Sequence, residues 1–446
     1  MDTLMNKAKS VLSELGVQVP RIMLPDLSSD LGSWAVVACD QYTSQREYWK
    51  EVEEIAEGKP STLNIIYPEV YLEDGGADDK IAAINLTMKK YMEDKVLNEL
   101  EEGFILVDRK TSHAESRKGL VLALDLERYD YNKGSNTLIR ATEGTVLDRL
   151  PPRIKIRQNA PVELPHIMVL IDDPGKTVIE PLAEKASGLE KLYDFELMMN
   201  GGHIKGYKVS DPGDISVVAH ALSKLATTDT FYNKYNLSGA CEVLLFAVGD
   251  GNHSLASAKG HWENVKKELP AHELENHPAR YALVELVNVH DSGLVFEPIH
   301  RVLFNVDAPN LLIEFKAYYH RTPENDCCSC CSSGPAAVHA FRYVTASGEG
   351  ILTIENPVSN LEVGTLQTFL DSYMKSHPEV KIDYIHGEPV VEKLGSQPGN
   401  LGIYLPSMHK TDLFRTVILD GALPRKTFSM GEAEEKRFYL ECRKIK

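Results

Sequence analysis

The run Val243-Leu244-Leu245-Phe246-Ala247-Val248, followed by Gly249-Asp250-Gly251-Asn252-His253, constrains the fold of this chain more than any other segment. An unbroken apolar run of strand length predicts a buried strand over 241–248, and the helical spacing of apolar residues after the loop predicts a helix over 254–269. Strand, glycine-containing loop and helix together form the unit of an open α/β sheet, which binds ligands beyond the carboxyl ends of its strands. Here the loop aims a helix N-terminus at that place. Gly249 and Gly251 permit close backbone approach, the free N–H groups of Asn252 to Leu255 favour an anion such as phosphate, and His253 can donate or shuttle a proton. Asp, Asn and Gly also build ordinary turns and N-caps, so Asp250-Gly251-Asn252-His253-Ser254 alone does not specify a ligand.

The remaining chain alternates in the same manner. Strands are predicted at 103–108, 118–126, 137–143 and 166–172, and helices at 4–15, 45–56, 79–100, 179–193 and 214–226. The segment 62–71 reads as a strand, and Leu150-Pro151-Pro152-Arg153-Ile154-Lys155-Ile156-Arg157 as an ordered loop. Beyond the motif, 280–290 and 294–304 read as paired strands, 336–345 with 350–355 as a hairpin, and 363–376 as a helix. The expected fold class is mixed α/β (α+β). A main region over 1–305 carries the motif and a C-terminal α+β region over 306–446 packs on it, with a soft boundary at 305–335.

With 48 Lys+Arg against 65 Asp+Glu, the net charge of -17 supplies no long-range field for a phosphate backbone, so a nucleic-acid partner is not expected and any phosphate site is local. No apolar run approaches the roughly 20 residues that span a bilayer, and the chain opens on an amphipathic stretch rather than a signal peptide. The expectation is a cytoplasmic protein with a small-molecule partner and no membrane. Seven cysteines, four of them in Cys327-Cys328-Ser329-Cys330-Cys331, make no disulfide framework; the cluster lacks a second C-x-x-C at finger spacing and reads as a reduced surface loop, with metal uptake left open.

The pentad Asp250-Gly251-Asn252-His253-Ser254 resembles the D-G-H-H-R type motif of the domain of unknown function 1015 family. The likeness extends to Cys39-Asp40-Gln41-Tyr42-Thr43, Ala141-Thr142-Glu143-Gly144-Thr145 and Leu423-Pro424-Arg425-Lys426-Thr427. Many relatives read H-E-K-T where this chain has Thr142-Glu143-Gly144-Thr145, and where they have H-H-R it has Asn252-His253-Ser254, a change that removes both a histidine and an arginine. The family in turn resembles the ParB/sulfiredoxin-like fold, whose free-serine kinases carry a similar D-G-H motif at the phosphate site and an acidic base. The resemblance therefore implies a ParB/sulfiredoxin-like core and a small-molecule phosphotransferase acting on free L-serine or a similar hydroxylated amino acid, with ATP or ADP and Mg²⁺.

Phosphoryl transfer to a hydroxyl requires a carboxylate on the acceptor and cations or N–H dipoles on the phosphate. On that basis Glu143 is the expected base, with Asp250 and His253 beside it and Asp250 also the Mg²⁺ ligand. Gly251, Asn252, Ser254, Arg153, Arg425 and Lys426 are the phosphate or nucleotide candidates, and Asp40, Gln41, Tyr42 and Thr145 the substrate candidates. Arg149, His290, His300 and Arg301 are secondary. The chain has no G-x-x-x-x-G-K-[ST] loop, so it is not a P-loop enzyme. Asn252 stands where a sulfiredoxin-like reductase needs its cysteine, and no helix-turn-helix or basic stripe supports a ParB-like role in nucleic-acid binding. The alternative to an enzyme is a non-catalytic sensor of a nucleotide or phosphometabolite.

Overall fold

A computed structural model describes residues 2–238, 241–321, 338–355, 357 and 359–446; the cysteine cluster at 327–331 lies outside them. The fold is mixed α/β, as the sequence pattern predicts. The motif strand, Phe246–Asp250, lies in a mixed sheet with ten strands among the described residues. It pairs in parallel with Ile139–Ala141 and antiparallel with Met168–Ile171. From there the sheet continues through Tyr281–Asn288, Arg117–Asp125, Phe104–Lys110, His203–Val209 and Lys191–Glu196.

Alternation along the motif strand shows why the apolar run is unbroken. Phe246 and Val248 enter a core with the helices Asp2–Glu14, Pro212–Leu225 and Asn252–Val265, whereas Ala247 enters a second core on the opposite face. That opposite face is covered in two halves. Ile105, Val107, Val121 and Leu283 lie under an N-terminal layer that includes Trp34, Trp49 and Val52. Met168, Leu170, Ala247 and Val287 lie under a second sheet, in the order Gly348–Glu355, Val338–Thr345, Asn400–Tyr404, Phe296–Phe304 and Lys381–His386. The short strand Phe428–Met430 pairs with the start of Phe296–Phe304.

The last residues return to the first layer. Phe438–Tyr439 pairs with Val36–Val37, and Arg443–Lys444 with Val162–Glu163. Between the layers Arg437 donates to the carboxylates of Glu285 and Glu441, both 1% exposed, and Glu441 also accepts from the Tyr193 hydroxyl at 2.6 Å. The second sheet thus starts at Phe296, and residues 438–444 pair with strands of the first layer.

Several local expectations are revised. Leu150–Gln158 is a helix, because Pro151 and Pro152 sit in its first turn, where no intrahelical N–H is required. The segment 62–71 holds two 3₁₀ turns, Thr62–Ile65 and Glu69–Tyr71, the first capped by Ser61. The expected helix at 179–193 stops at Glu184, passes through a 3₁₀ turn at Ala186–Gly188 and becomes the strand Lys191–Glu196. Tyr281–Asn288 and Phe296–Phe304 are both strands, but they lie in different sheets and do not pair.

Candidate functional site

Strand directions assemble the site. Since Ile139–Ala141 runs parallel to the motif strand and Met168–Ile171 runs against it, the carboxyl ends of two strands and the amino end of the third meet at one sheet edge. The Thr142 carbonyl accepts from the Leu423 N–H at 2.7 Å and Glu143 bridges to Leu423, which draws the turn at 424–427 to the same edge. A cleft of about 1280 Å³ opens there, at the seam between the N-terminal layer, the large sheet and the second sheet.

The motif loop depends on Gly251. Its φ of +78° is left-handed, and a Cβ there would stand 3.0 Å from the Ile167 backbone. Gly251→Ala is expected to destabilise the fold by about 1–2 kcal/mol through the backbone alone, measured as a lowered urea midpoint; an unchanged midpoint would contradict this geometry. Gly251 is also the N-cap of Asn252–Val265 and supplies no side-chain cap, so the first N–H groups of the helix stay available at the cleft. Asn252 contributes differently from expectation. Its side chain accepts from the Thr142 N–H at 3.3 Å and donates to Thr142 Oγ1 and the Val248 carbonyl, both at 3.4 Å, so it straps two strand ends together rather than facing a ligand.

The charged groups fall into matched and unmatched sets. Asp250 is paired with Lys436 at 3.0 Å, and Arg153 with Glu69. Among the described residues the Glu143 carboxylate has no hydrogen-bond or ion-pair partner. Burial raises its pKa above the ordinary glutamate value, Lys426 works against the shift, and Asp250 adds to it. Arg425 and Lys426 are exposed on the cleft and make no ion pair among the described residues. Arg149 is likewise exposed on the cleft. His253 Nε2 accepts from the Val146 N–H at 3.3 Å, and burial followed by Arg153 and Arg149 lowers its pKa, which favours a neutral ring protonated on Nδ1.

A buried relay stands behind this front. His166 meets the Tyr439 hydroxyl through Nδ1 at 2.7 Å, and through Nε2 it meets Ser254 Oγ at 3.2 Å and Asp40 at 3.4 Å. The Tyr439 hydroxyl donates to Cys39 Sγ at 3.0 Å. Burial alone would lower the His166 pKa, but Asp40 outweighs it and the net shift is upward. Asp40 in turn is held below the usual carboxylate range, its burial outweighed by His166. Burial and Asp40 push the Cys39 thiol up to about 12, so it is no nucleophile. Asp40→Asn is expected to lower the His166 pKa, because burial is then opposed only by Asp250 and Glu69. Histidine NMR titration reads the change, and an unmoved His166 would refute the pairing.

Residues 25–373 match the model of the family described as "Protein of unknown function (DUF1015)". The chain belongs to the DUF1015 family. No curated protein matches the sequence. Among solved structures the DUF1015 chain is similar to a conserved hypothetical protein from Pyrococcus furiosus, at 9% identity over 71% of this chain and 93% of that one, with a TM-score of 0.33. It is also similar to two variants of a free serine kinase in complex with AMP, each at 9% identity over 76% of this chain and 95% of that one, with a TM-score of 0.36.

In this DUF1015 protein the cleft gathers Asp40, Gln41, Glu143, Arg149, Arg153, the 250–254 loop, Arg425 and Lys426. Other candidates lie elsewhere. Tyr42 stacks on Tyr48 with ring centroids 3.7 Å apart and does not line the cleft, and Thr145 Oγ1 is buried without a partner. His290 is taken up by Asp172 at 2.7 Å. His300 accepts from the Leu405 N–H at 3.1 Å and lines a different cavity. Arg301 is fully buried, stacks on Tyr384 and donates to the Arg425 carbonyl at 3.2 Å, so it holds the backbone of the cleft turn rather than a ligand. Glu69, His166 and Lys436 were not anticipated from the sequence. Lys436 sits in the acid-rich run 432–436, which reads as a solvated surface, and His166 opens a strand whose direction the sequence does not specify. Among the described residues no group of three metal-ligating side chains occurs.

Proposed function

We propose that this DUF1015 protein is a small-molecule phosphotransferase that moves a phosphoryl group between ATP or ADP and the hydroxyl of free L-serine or a similar hydroxylated amino acid. The observation that carries the reading is Glu143, a half-buried carboxylate without a partner among the described residues, at the same sheet edge as an uncapped helix N-terminus and the cations Arg425 and Lys426, which make no ion pair there. In the forward direction Glu143 takes the hydroxyl proton, the alcohol oxygen bonds to phosphorus and the nucleotide leaves with the bond electrons. The first-turn N–H groups, Arg425 and Lys426 hold the phosphate oxygens. Mg²⁺ commonly takes one or two carboxylates and completes its shell with water and phosphate oxygens, which suits Asp250, and it would supply charge neutralisation on the phosphates. The acceptor follows from the motif resemblance.

A nucleotide or phosphometabolite sensor is the second reading, favoured by the pairs Asp250–Lys436 and Arg153–Glu69, which match those charges before any ligand arrives. Phosphoryl transfer from ATP with Mg²⁺ across a panel of hydroxylated amino acids separates the two. Labelled phosphate on L-serine or a relative, lost in Glu143→Gln or Asp250→Asn proteins that remain folded, supports the enzyme; nucleotide binding without turnover across the panel supports the sensor.

A further inference from the structure

A second cavity, of about 760 Å³, shares the 430–432 segment as a wall with the main cleft. Arg117 lines it and is 4% exposed. A guanidinium so far removed from water needs a carboxylate or a full set of acceptors. Its neighbours obtain one or the other: Arg437 takes two glutamates, and Arg109 donates to the carbonyls of Gly201, Glu434 and Lys436. Arg117 makes no ion pair among the described residues. Its Nη1 reaches the Glu435 carbonyl at 3.5 Å, and its Nε is buried with no acceptor.

The carboxylates around this cavity do not fill the gap. Glu435 accepts from the Thr111 hydroxyl and the Glu432 N–H, Glu432 caps the turn Ala433–Glu435, and Glu388 is paired with Arg342. Glu297 is exposed and makes no ion pair with Arg117. A second donor without an acceptor lies on the same cavity. His300 Nδ1 accepts from the Leu405 N–H, so its ring proton is on Nε2, where it has no acceptor among the described residues. Burial lowers its pKa and keeps that ring neutral.

We propose that this cavity is a binding site for a small oxyanion, a phosphate or carboxylate group of a metabolite, held by the Arg117 guanidinium and the His300 Nε2–H and separate from the main cleft. The planar fork of Arg117 matches two oxygens of either group, and compensation of its charge by the ligand accounts for a buried arginine that the protein itself leaves short of acceptors.

The test uses an Arg149→Ala/Arg425→Ala/Lys426→Ala background, which removes the exposed cations that line the main cleft without an ion pair among the described residues. Calorimetry with inorganic phosphate in one arm and malonate in the other is expected to show one oxyanion bound at a single site, weakened about ten- to hundred-fold by Arg117→Met. Absence of binding by either anion, or an affinity unchanged by Arg117→Met, overturns the proposal. Should Arg117→Met fail to fold, crystals of the intact protein soaked with arsenate decide: an anomalous arsenic peak beside Arg117 supports the site, and a peak only in the main cleft, or none, overturns it. Turnover by the main cleft is measured independently, so the failure of one reading leaves the other standing.

Discussion

Arg437→Met is expected to cost the fold about 3–5 kcal/mol, because it removes the ion pairs of two carboxylates left in the interior. Glu285 and Glu441 are each 1% exposed, and both rely on the one guanidinium. Arg437 itself is held charged although burial opposes it, with Glu441 first and Glu285 second raising its pKa. The loss reflects the unmatched charges rather than missing volume. The triple variant Arg437→Met/Glu285→Gln/Glu441→Gln is therefore expected to regain most of the stability, since apolar or neutral replacement of a whole buried ionic group is often close to neutral. Urea unfolding of both variants checks this, and equal midpoints for the single and triple variants would show that the charges are not the cause.

On the phosphotransferase reading proposed above, Glu143→Gln is expected to lower turnover by about 10²–10⁴-fold, the range for loss of a positioned general base, while nucleotide affinity changes little. The pH profile gives the sharper reading. A base must be ionised, so activity rises with pH through the pKa of Glu143, and burial places that acid limb above the ordinary glutamate value of 4.5. Lys426 pulls the value down and Asp250 pushes it up. Lys426→Ala is thus expected to move the limb of kcat/KM to higher pH. A shift of the opposite sign would remove Glu143 from the role of base.

What the sequence made legible follows from what local pattern encodes. The motif strand and helix stand out because both faces of Phe246–Asp250 are buried, which leaves a continuous apolar run, and because the helix keeps its period through Leu255, Ala258 and Trp262. Pairing is not local. Tyr281–Asn288 and Phe296–Phe304 follow one another and read as partners, yet the first pairs with Arg117–Asp125 and the second with Lys381–His386 and Asn400–Tyr404, each in its own sheet. The prolines at 151 and 152 read as loop residues because their tolerance in a first helical turn depends on where the helix starts. At the site, the quoted motifs led to Glu143, Asp250 and the 425–426 cations, whereas His166 meets Ser254 across 88 residues of sequence and Lys436 reaches Asp250 from the far end of the chain. No spacing rule connects such pairs.

The return of the tail to the first layer also sets an order of events during synthesis. Among the described residues Val36–Val37 finds its strand partner in Phe438–Tyr439, Trp34 donates to the Leu440 carbonyl at 3.1 Å, and the Cys39 N–H donates to the Tyr439 hydroxyl 400 residues later. Layers built from neighbouring segments close as the ribosome delivers them, but contacts of this separation carry a large loop-closure cost and form late. Until residues 438–444 emerge, the chain holds an open strand edge and an uncovered aromatic surface around Trp34, the kind of surface that chaperones bind and that aggregates when left unguarded.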